Sequence, residues 1–409
     1  MAGRTPIPRD DALPQMAELF DPEVMAPFLG DTLEREDVVQ GVAIPYNRYR
    51  PGRDLAVHYE VTVDGTTHHA VAMSSLREEL SGLVGTHDLV ERAKLVAGRS
   101  PASRPFWWDA RLRALFQWLP FDLDLPALSE RPGALRRRLA DAGVPLSPDD
   151  GELALLQYRP RRRVALRLDG HVVKIYRDEK TYRAGVSGLE AAAHLGAIRT
   201  ARGEAFVPEW LLTVQELLPG DPLARRAEVA SDAGALLAEL HASPLAGLPP
   251  LLPEHRLKQV AASVKVVTAV APHLAGRAQA LLRELELGAP QLDANALVSA
   301  HGDFHGGQLL VQDDGYALID FDLLAAGPPA YDLANYAGHL IPKEAPDIAF
   351  AVDVLDKLVA AYGRRPPFLP WYLSASILRR ARVPFRNFEP DWPRGIEIMI
   401  DAAEAAIRL

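Results

Sequence analysis

The sequence predicts an α+β chain, β-rich in its first half and helical in its second, folded as more than one domain. Three observations carry that reading. Two alternating runs, LAVHYEVTV and VALRL, each lead through an Asp-Gly pair into a further strand-like run, the pattern of a β-hairpin. Beyond Ser231 apolar residues recur at helical spacing through most of the chain. A length of 409 residues exceeds what one hydrophobic core normally organises, so two or three domains are expected.

In chain order, residues 1–40 read as a lead-in with one amphipathic helix near Met16 to Leu29. The first hairpin follows, from Tyr49-Arg50-Pro51 through Asp64-Gly65 to HHAVAM. Polar helical sequence from Ser74 to Ala97 leads to an aromatic cluster of Trp107, Trp108, Trp118, Pro120 and Phe121. The Pro/Asp-rich junction from Val144 to Gly151 is the best candidate for a domain boundary. After it the hairpin pattern returns, from Tyr158-Arg159-Pro160 through Asp169-Gly170 to HVVKIY. This is a two-copy internal repeat. Only the second copy carries a lysine in its outgoing strand: Lys174 stands where the first shows Ala72. Thr181 onward is helical and includes Glu190, and Phe206 to Leu218 holds a short strand. Ser231 to His241 suits a helix begun by a Ser or Asp cap. Leu245 to Pro253 loops, Arg256 to Leu287 reads as one or two helices, and helices fill the chain after Tyr336.

Composition excludes several functions. Hydrophobic content of 48% and charged content of 24% are those of a globular protein. A net charge of −9 argues against a nucleic-acid coat. No run reaches the ~18 apolar residues of a membrane span, so neither nucleic acid nor membrane is an expected partner. With no cysteine there is no disulfide and no thiolate metal site. The first twenty residues lack the apolar core of a signal peptide, which makes the cytoplasm the expected compartment.

The chemistry gathers between Leu297 and Tyr336. Asp303 lies in HGDFH, Gln308 follows five residues later, and a second apolar run delivers Asp320-Phe321-Asp322. That is the spacing of a catalytic loop, a metal-binding amide and a metal-binding carboxylate in a kinase-type phosphotransferase. Gln312-Asp313-Asp314-Gly315 signals a tight turn, so the two apolar runs should pair and bring Gln308 and Asp320 together beside Asp303. Read alone, His301, Asp303 and His305 alternate as metal ligands on a strand would, so a metal-dependent hydrolase is an alternative for HGDFH.

Lys174 in VVKIYRD, Glu190, VQELLPGDPL, LLAELH, HGDFHGGQLL, and IDFD followed by Gly327 and Asp332-Leu333-Ala334 occur in a telling order. Together they make the chain resemble the aminoglycoside phosphotransferase family over roughly residues 151–340. The upstream region and the glutamine at 308 are reminiscent of maltokinase-like and glucosamine-kinase-like sugar kinases. The resemblance implies a bilobal protein-kinase-like fold. Residues 1–150 would form an α/β cap with a degenerate hairpin, 151–218 a small β-rich N-lobe, and 219–409 a helical C-lobe.

It also implies roles. Asp303 would be the base that takes the acceptor's proton, the alternative being a turn-capping carboxylate. Gln308 and Asp320 would hold Mg²⁺ through oxygen, with Asp322 joining a second ion or serving a structural role. Lys174 would neutralise ATP phosphates, steadied by Glu190; the alternatives are an exposed strand lysine and a solvated helix glutamate. The turn Gln157 to Arg163 falls where a Gly-rich phosphate cover belongs, yet it contains no glycine. Arg161 and Arg162 could supply side-chain charge instead, or simply form an exposed basic turn. Gln215 to Leu218, with Glu216 and Leu218, would be the connector whose backbone meets adenine. Asp332 is read as an anchor behind the catalytic loop.

The acceptor site is expected in the helices after Tyr336. Residues 371–394 hold Arg379, Arg380, Arg382, Arg386 and Arg394 against Glu389 and Asp391, with Trp371, Tyr372 and Trp392 nearby. Such residues suit a neutral or anionic sugar or polyol better than a polycation. The expected activity is therefore ATP- and Mg²⁺-dependent phosphorylation of a hydroxyl on a sugar-like metabolite, with a homodimer possible through the N-terminal domain. A catalytically impaired kinase-like scaffold is the second reading.

Overall fold

Both Asp-Gly pairs turn hairpins in the computed structural model, which describes residues 7–33, 39–146, 153–196, 198–222, 227–244, 247–313, 315–341, 343 and 347–409. Asp64 and Gly65 take φ of 48° and 76°, the left-handed pair that lets a two-residue turn follow strand twist. The chain divides into two compact units. The first comprises Met1–Tyr182, Glu204–Val214 and Phe385–Pro390, and the second Arg183–Gly203, Gln215–Pro384 and Asp391–Leu409.

In the first unit the expected single lead-in helix is two, α1 (Met16–Leu19) and α2 (Pro22–Gly30). Asp21 breaks it: its carboxylate accepts the N–H groups of Glu23 and Val24, and Pro22 opens the new helix. An antiparallel sheet follows, made of β1 (Val39–Arg50), β2 (Asp54–Val63), β3 (Thr66–Ser75), β4 (Phe106–Asp109) and β5 (Ala114–Trp118), in the order β1-β2-β3-β5-β4. The helical sequence expected over 74–97 forms a 3-10 helix at Leu80–Gly85 and then α3 (His87–Val96). Helix α4 (Pro132–Asp141) precedes the second hairpin, β6 (Ala154–Arg159), β7 (Arg163–Leu168) and β8 (His171–Tyr176).

Helix α5 (Glu179–Ala192) and the two-residue β9 (Arg199–Thr200) come next, then β10 (Gly203–Val207) and β11 (Leu212–Glu216), which complete a second sheet ordered β10-β11-β8-β7-β6. Ala56, Val71, Met73 and Leu115 of the first sheet share one core with Val164, Val173, Ile175 and Val214 of the second. Leu135, Leu139 and Val144 join it. The expected boundary near residue 150 thus falls inside this unit; residues 147–151 of the junction lie outside the described ones. Counted from the turn, Lys174 occupies the fourth ladder pair, opposite Ala165, and the matching residue of the first hairpin is His69, opposite Glu60, rather than Ala72. Either way only the second copy holds a lysine there.

The second unit is mostly helical: α6 (Ala230–His241), α7 (Pro253–Val270), α8 (Ala275–Leu287), α9 (Ala330–Leu340), α10 (Ile348–Tyr362), α11 (Leu369–Arg380) and α13 (Trp392–Ala406). The short α12 (Val383–Arg386) lies between the last two. Helix α6 starts without a side-chain cap bond, so the expected Ser or Asp cap is not used. Strands β12 (Asp221–Pro222), β14 (Leu309–Gln312) and β15 (Gly315–Leu318) join β9 in one small sheet. In it β14 and β15 form the expected hairpin, with Gln312 opposite Gly315; Asp314 lies outside the described residues. A separate ladder pairs β13 (Val298–Ala300) with β16 (Ala325–Gly327). Among the described residues no helix is long and apolar enough to cross a membrane.

Candidate active site

Strand β13 delivers His301 into the interior, and the loop that follows is fastened from three directions. The first fastening is Asp332, fully buried in the first turn of α9. Its carboxylate accepts the N–H of His301 at 2.7 Å and of Gly302 at 3.0 Å, and lies 3.2 Å from His241 Nε2. This is the arrangement a buried carboxylate needs, with donors for its lone pairs.

The second fastening is His301 itself. Its Nε2 sits 3.0 Å from the Ile319 carbonyl oxygen. A carbonyl only accepts, so Nε2 carries the proton and Nδ1 is left to accept the Asp303 N–H at 3.4 Å. With both nitrogens engaged, His301 is no metal ligand. His305 Nδ1 accepts from Gly307 N–H at 3.0 Å, and its ring stacks on His339 at 4.1 Å. Among the described residues no three His, Cys, Asp or Glu side chains gather to hold a metal. The hydrolase alternative built on His301, Asp303 and His305 is therefore set aside.

The third fastening is steric. Gly302 takes φ of 80°, and a Cβ there would come within 2.2 Å of the Leu323 carbonyl oxygen. Only glycine permits that approach. It locks the loop against the turn carrying Asp320 and Asp322.

Asp303 emerges from this frame with its side chain about one-third exposed, at 32%. Its Oδ1 lies 3.4 Å from Asn335 Nδ2 and 3.7 Å from Arg379 Nη2. Asn335 also donates to the Phe304 carbonyl at 3.0 Å, while its own oxygen accepts from Ser376 and from Arg379, the latter at 2.8 Å. Burial pushes the Asp303 carboxyl up, but the Arg379 guanidinium and then His305 outweigh it, so the pKa lies below the ordinary value.

Gln308 is buried, and its Nε2 lies 3.4 Å from Asp320 Oδ2. The hairpin brings them together: Ile319 N–H donates to the Gln308 carbonyl at 3.0 Å. Asp320 takes φ of 68°, a strained conformation for a non-glycine residue of the kind found at functional sites. Asp322 is half-buried in the turn Phe321–Leu323. Helix α5 braces that turn, since a Cβ on Gly188 would meet the Phe321 carbonyl at 2.3 Å. A side-chain amide beside the Asp320 carboxylate is an all-oxygen donor pair once the amide turns its oxygen inward. It fits a hard cation that draws its remaining ligands from phosphate and water.

The other expected residues divide between the units. In the first, Lys174 is buried on β8 and Arg162 is exposed in the turn before β7. Arg161 is buried, its Nε 2.8 Å from Asp124 and its Nη2 2.5 Å from Glu78. Its charge is matched within the unit, which leaves Arg162 as the exposed arginine of the turn. In the second unit Glu190 is exposed on α5. Glu216 accepts from Arg199 at 2.5 Å and gives its own N–H to the Arg202 carbonyl, so neither group is free for a ligand. Leu218 packs with Ala201, Leu310 and Ala317. Sequence reasoning missed Asn335, although Asp332 and Asn335 stand three apart and hence on one face of α9.

By sequence, residues 162–370 match the model of the phosphotransferase enzyme family, APH. No curated protein matches the chain. Among solved structures, choline kinase from Cryptosporidium parvum is similar at a TM-score of 0.51 and 13% identity, over 68% of this chain and 95% of that one. A choline/ethanolamine kinase family protein from Mesorhizobium loti gives 0.48 and 16%, over 68% and 95%. A spectinomycin phosphotransferase in complex with ADP and spectinomycin gives 0.47 and 13%, over 68% and 98%. At 13% identity the likeness to the choline kinase bears on the fold alone. The family match spans just over half of the 409 residues, and the protein accordingly belongs to the APH phosphotransferase enzyme family, with a protein-kinase-like fold of β-rich N-terminal sheets and a helical C-terminal part.

Proposed function

We propose that the protein transfers the γ-phosphoryl group of ATP, with Mg²⁺, to a hydroxyl of a small sugar-like molecule in the cytoplasm. The observation that supports this reading is that Gln308 lies 3.4 Å from Asp320 on one hairpin, while the Asp320 charge acts on Asp303 of the fastened loop. Asp303 would accept a hydrogen bond from the acceptor hydroxyl and take its proton as the new O–P bond forms and the bond to ADP breaks. A carboxyl held below its usual pKa is a weak base, so its main work is orientation, with the proton moving late. Gln308, Asp320 and Asp322 would hold Mg²⁺, which neutralises phosphate charge when bound. Lys174, with Glu190 and Arg162, would contact the phosphates, and the backbone near Leu218 would meet adenine. Residues 1–150 would act as a cap, 151–218 as the N-lobe and 219–409 as the C-lobe, with the cap available for a homodimer contact.

An ADP-release assay across a sugar panel tests the reading. Asp303→Asn is expected to lower kcat by roughly 10²–10⁴-fold while ATP·Mg²⁺ still raises the melting temperature. Turnover unchanged in that variant would sink it. One observation favours a second reading, a nucleotide-binding scaffold: the glycine-free turn holds Arg161 locked in ion pairs. Nucleotide binding without ADP release on any acceptor would favour the scaffold.

A further inference from the structure

Among the described residues, Arg256 on α7 has no partner carboxylate. The residue has 0% of its surface exposed. Its Nη1 reaches Gln259 Oε1 at 3.3 Å, its Cζ lies 3.8 Å from the centre of the Tyr331 ring, and its Nε and Nη2 meet no acceptor among the described residues. A guanidinium normally enters an interior only when paired. The charges that act on it come from Arg379, Asp303 and Asp332. Both carboxylates are already engaged, Asp332 by the loop N–H groups and Asp303 by Asn335 and Arg379.

The same neighbourhood holds other unmet donors. Among the described residues Arg379 Nε has no acceptor, although that side chain is 19% exposed beside Asp303. The Tyr372 hydroxyl is likewise buried without a partner among them, on a ring 6.0 Å from that of Tyr331. The guanidinium groups of Arg256 and Arg379 thus share two committed carboxylates, and the donors left over ask for oxygen acceptors carrying negative charge. A polycation would meet repulsion here, and a neutral sugar would leave the excess donors unmatched.

We propose that the phosphate acceptor carries an anionic group, a carboxylate or a phosphate ester, bound beside Asp303 by Arg379 with Arg256 behind it. This rests on the phosphotransferase reading. It deepens that reading by assigning the charge class of the acceptor, and it sets negative charge near the buried guanidinium through Arg379 when substrate is bound.

The test uses the full chain saturated with AMP-PNP and Mg²⁺, so that the nucleotide site is filled. Gluconate, glucose and glucosamine offer similar six-carbon skeletons with three charges; glucose 6-phosphate and inorganic sulfate complete the panel. Gluconate, glucose 6-phosphate or sulfate is expected to raise the melting temperature saturably at millimolar concentration, and glucosamine is not. Arg256→Met should weaken anion binding by roughly tenfold or more, Arg256→Lys should retain part of it, and both should bind AMP-PNP as before. Should Arg256→Met not fold, Arg379→Gln carries the same comparison. Stabilisation by glucosamine or glucose but by no anion overturns the proposal, as does anion binding that survives Arg256→Met. A variant that loses AMP-PNP affinity instead places the guanidinium on the nucleotide and also overturns it. If AMP-PNP·Mg²⁺ fails to stabilise the wild-type protein, the phosphotransferase reading itself falls.

Discussion

Asp332 and Gly302 show how few atoms hold the catalytic loop. Asp332→Asn keeps one acceptor oxygen but sets an NH2 group against a main-chain N–H. The expected cost is about 2–5 kcal/mol of stability, read from the urea midpoint; an unchanged midpoint would show the anchor to be dispensable. Gly302→Ala forces a Cβ against the Leu323 carbonyl at a positive φ and should cost about 2–4 kcal/mol. Asp303 supplies a pH test. Its carboxyl is held below the ordinary value chiefly by Arg379 against the effect of burial, so it stays ionised well into acid and the acid limb of kcat should lie low. Arg379→Gln removes the positive charge, raises that pKa and should move the limb toward higher pH; a limb that stays in place would refute the coupling. At this scale the sequence was partly legible. The hairpin that sets Gln308 beside Asp320 was readable from spacing, because loop and hairpin are local. Asn335 and Arg256 were not found, because what makes them matter is a neighbour 31 residues away for Asn335 and a charge left unpaired in the folded interior for Arg256.

Among elements, the two hairpins were legible from alternation and Asp-Gly turns, while their lengths were not. Ten ladder pairs in one and six in the other shift the apparent match by several residues. The first hairpin also supplies a pH test of stability. His58 on β2 lies 3.0 Å from His69 on β3, and burial, with His69 and Arg159 adding to it, pushes its pKa down to about 3. The folded value is below the unfolded one of about 6.5, so His58 leaves stability intact above that pH. Stability is then lost as pH falls toward the folded value, by at most about 1.4 kcal/mol per pH unit for one proton. His58→Gln should flatten the fall in unfolding free energy between pH 6.5 and 5. Equal slopes in the two proteins would remove His58 from the account. The role of Arg161 was illegible for a different reason: its partners Asp124 and Glu78 stand 37 and 83 residues away, and no local pattern announces them.

For the whole molecule, β-rich sequence giving way to helical sequence was readable, but where one core ends was not. A Pro/Asp-rich junction suggests a linker, yet the sheets on either side of it bury their apolar faces in one core. A chain starting at residue 151 would expose Val164, Val173 and Ile175, which lie at 0% exposure in the intact protein. It should express as aggregate or show no cooperative melt, whereas a soluble fragment with a sharp transition would establish an independent lobe. The close approach of Gly302 to Leu323 has a practical use. The Leu323 side chain is 54% exposed, and the protein contains no cysteine. A thiol introduced there by Leu323→Cys would be the sole labelling point on the molecule. A fluorophore on it would ride on the segment whose carbonyl abuts the loop, so its emission would report any displacement of that segment as ligands bind, with no second label to subtract.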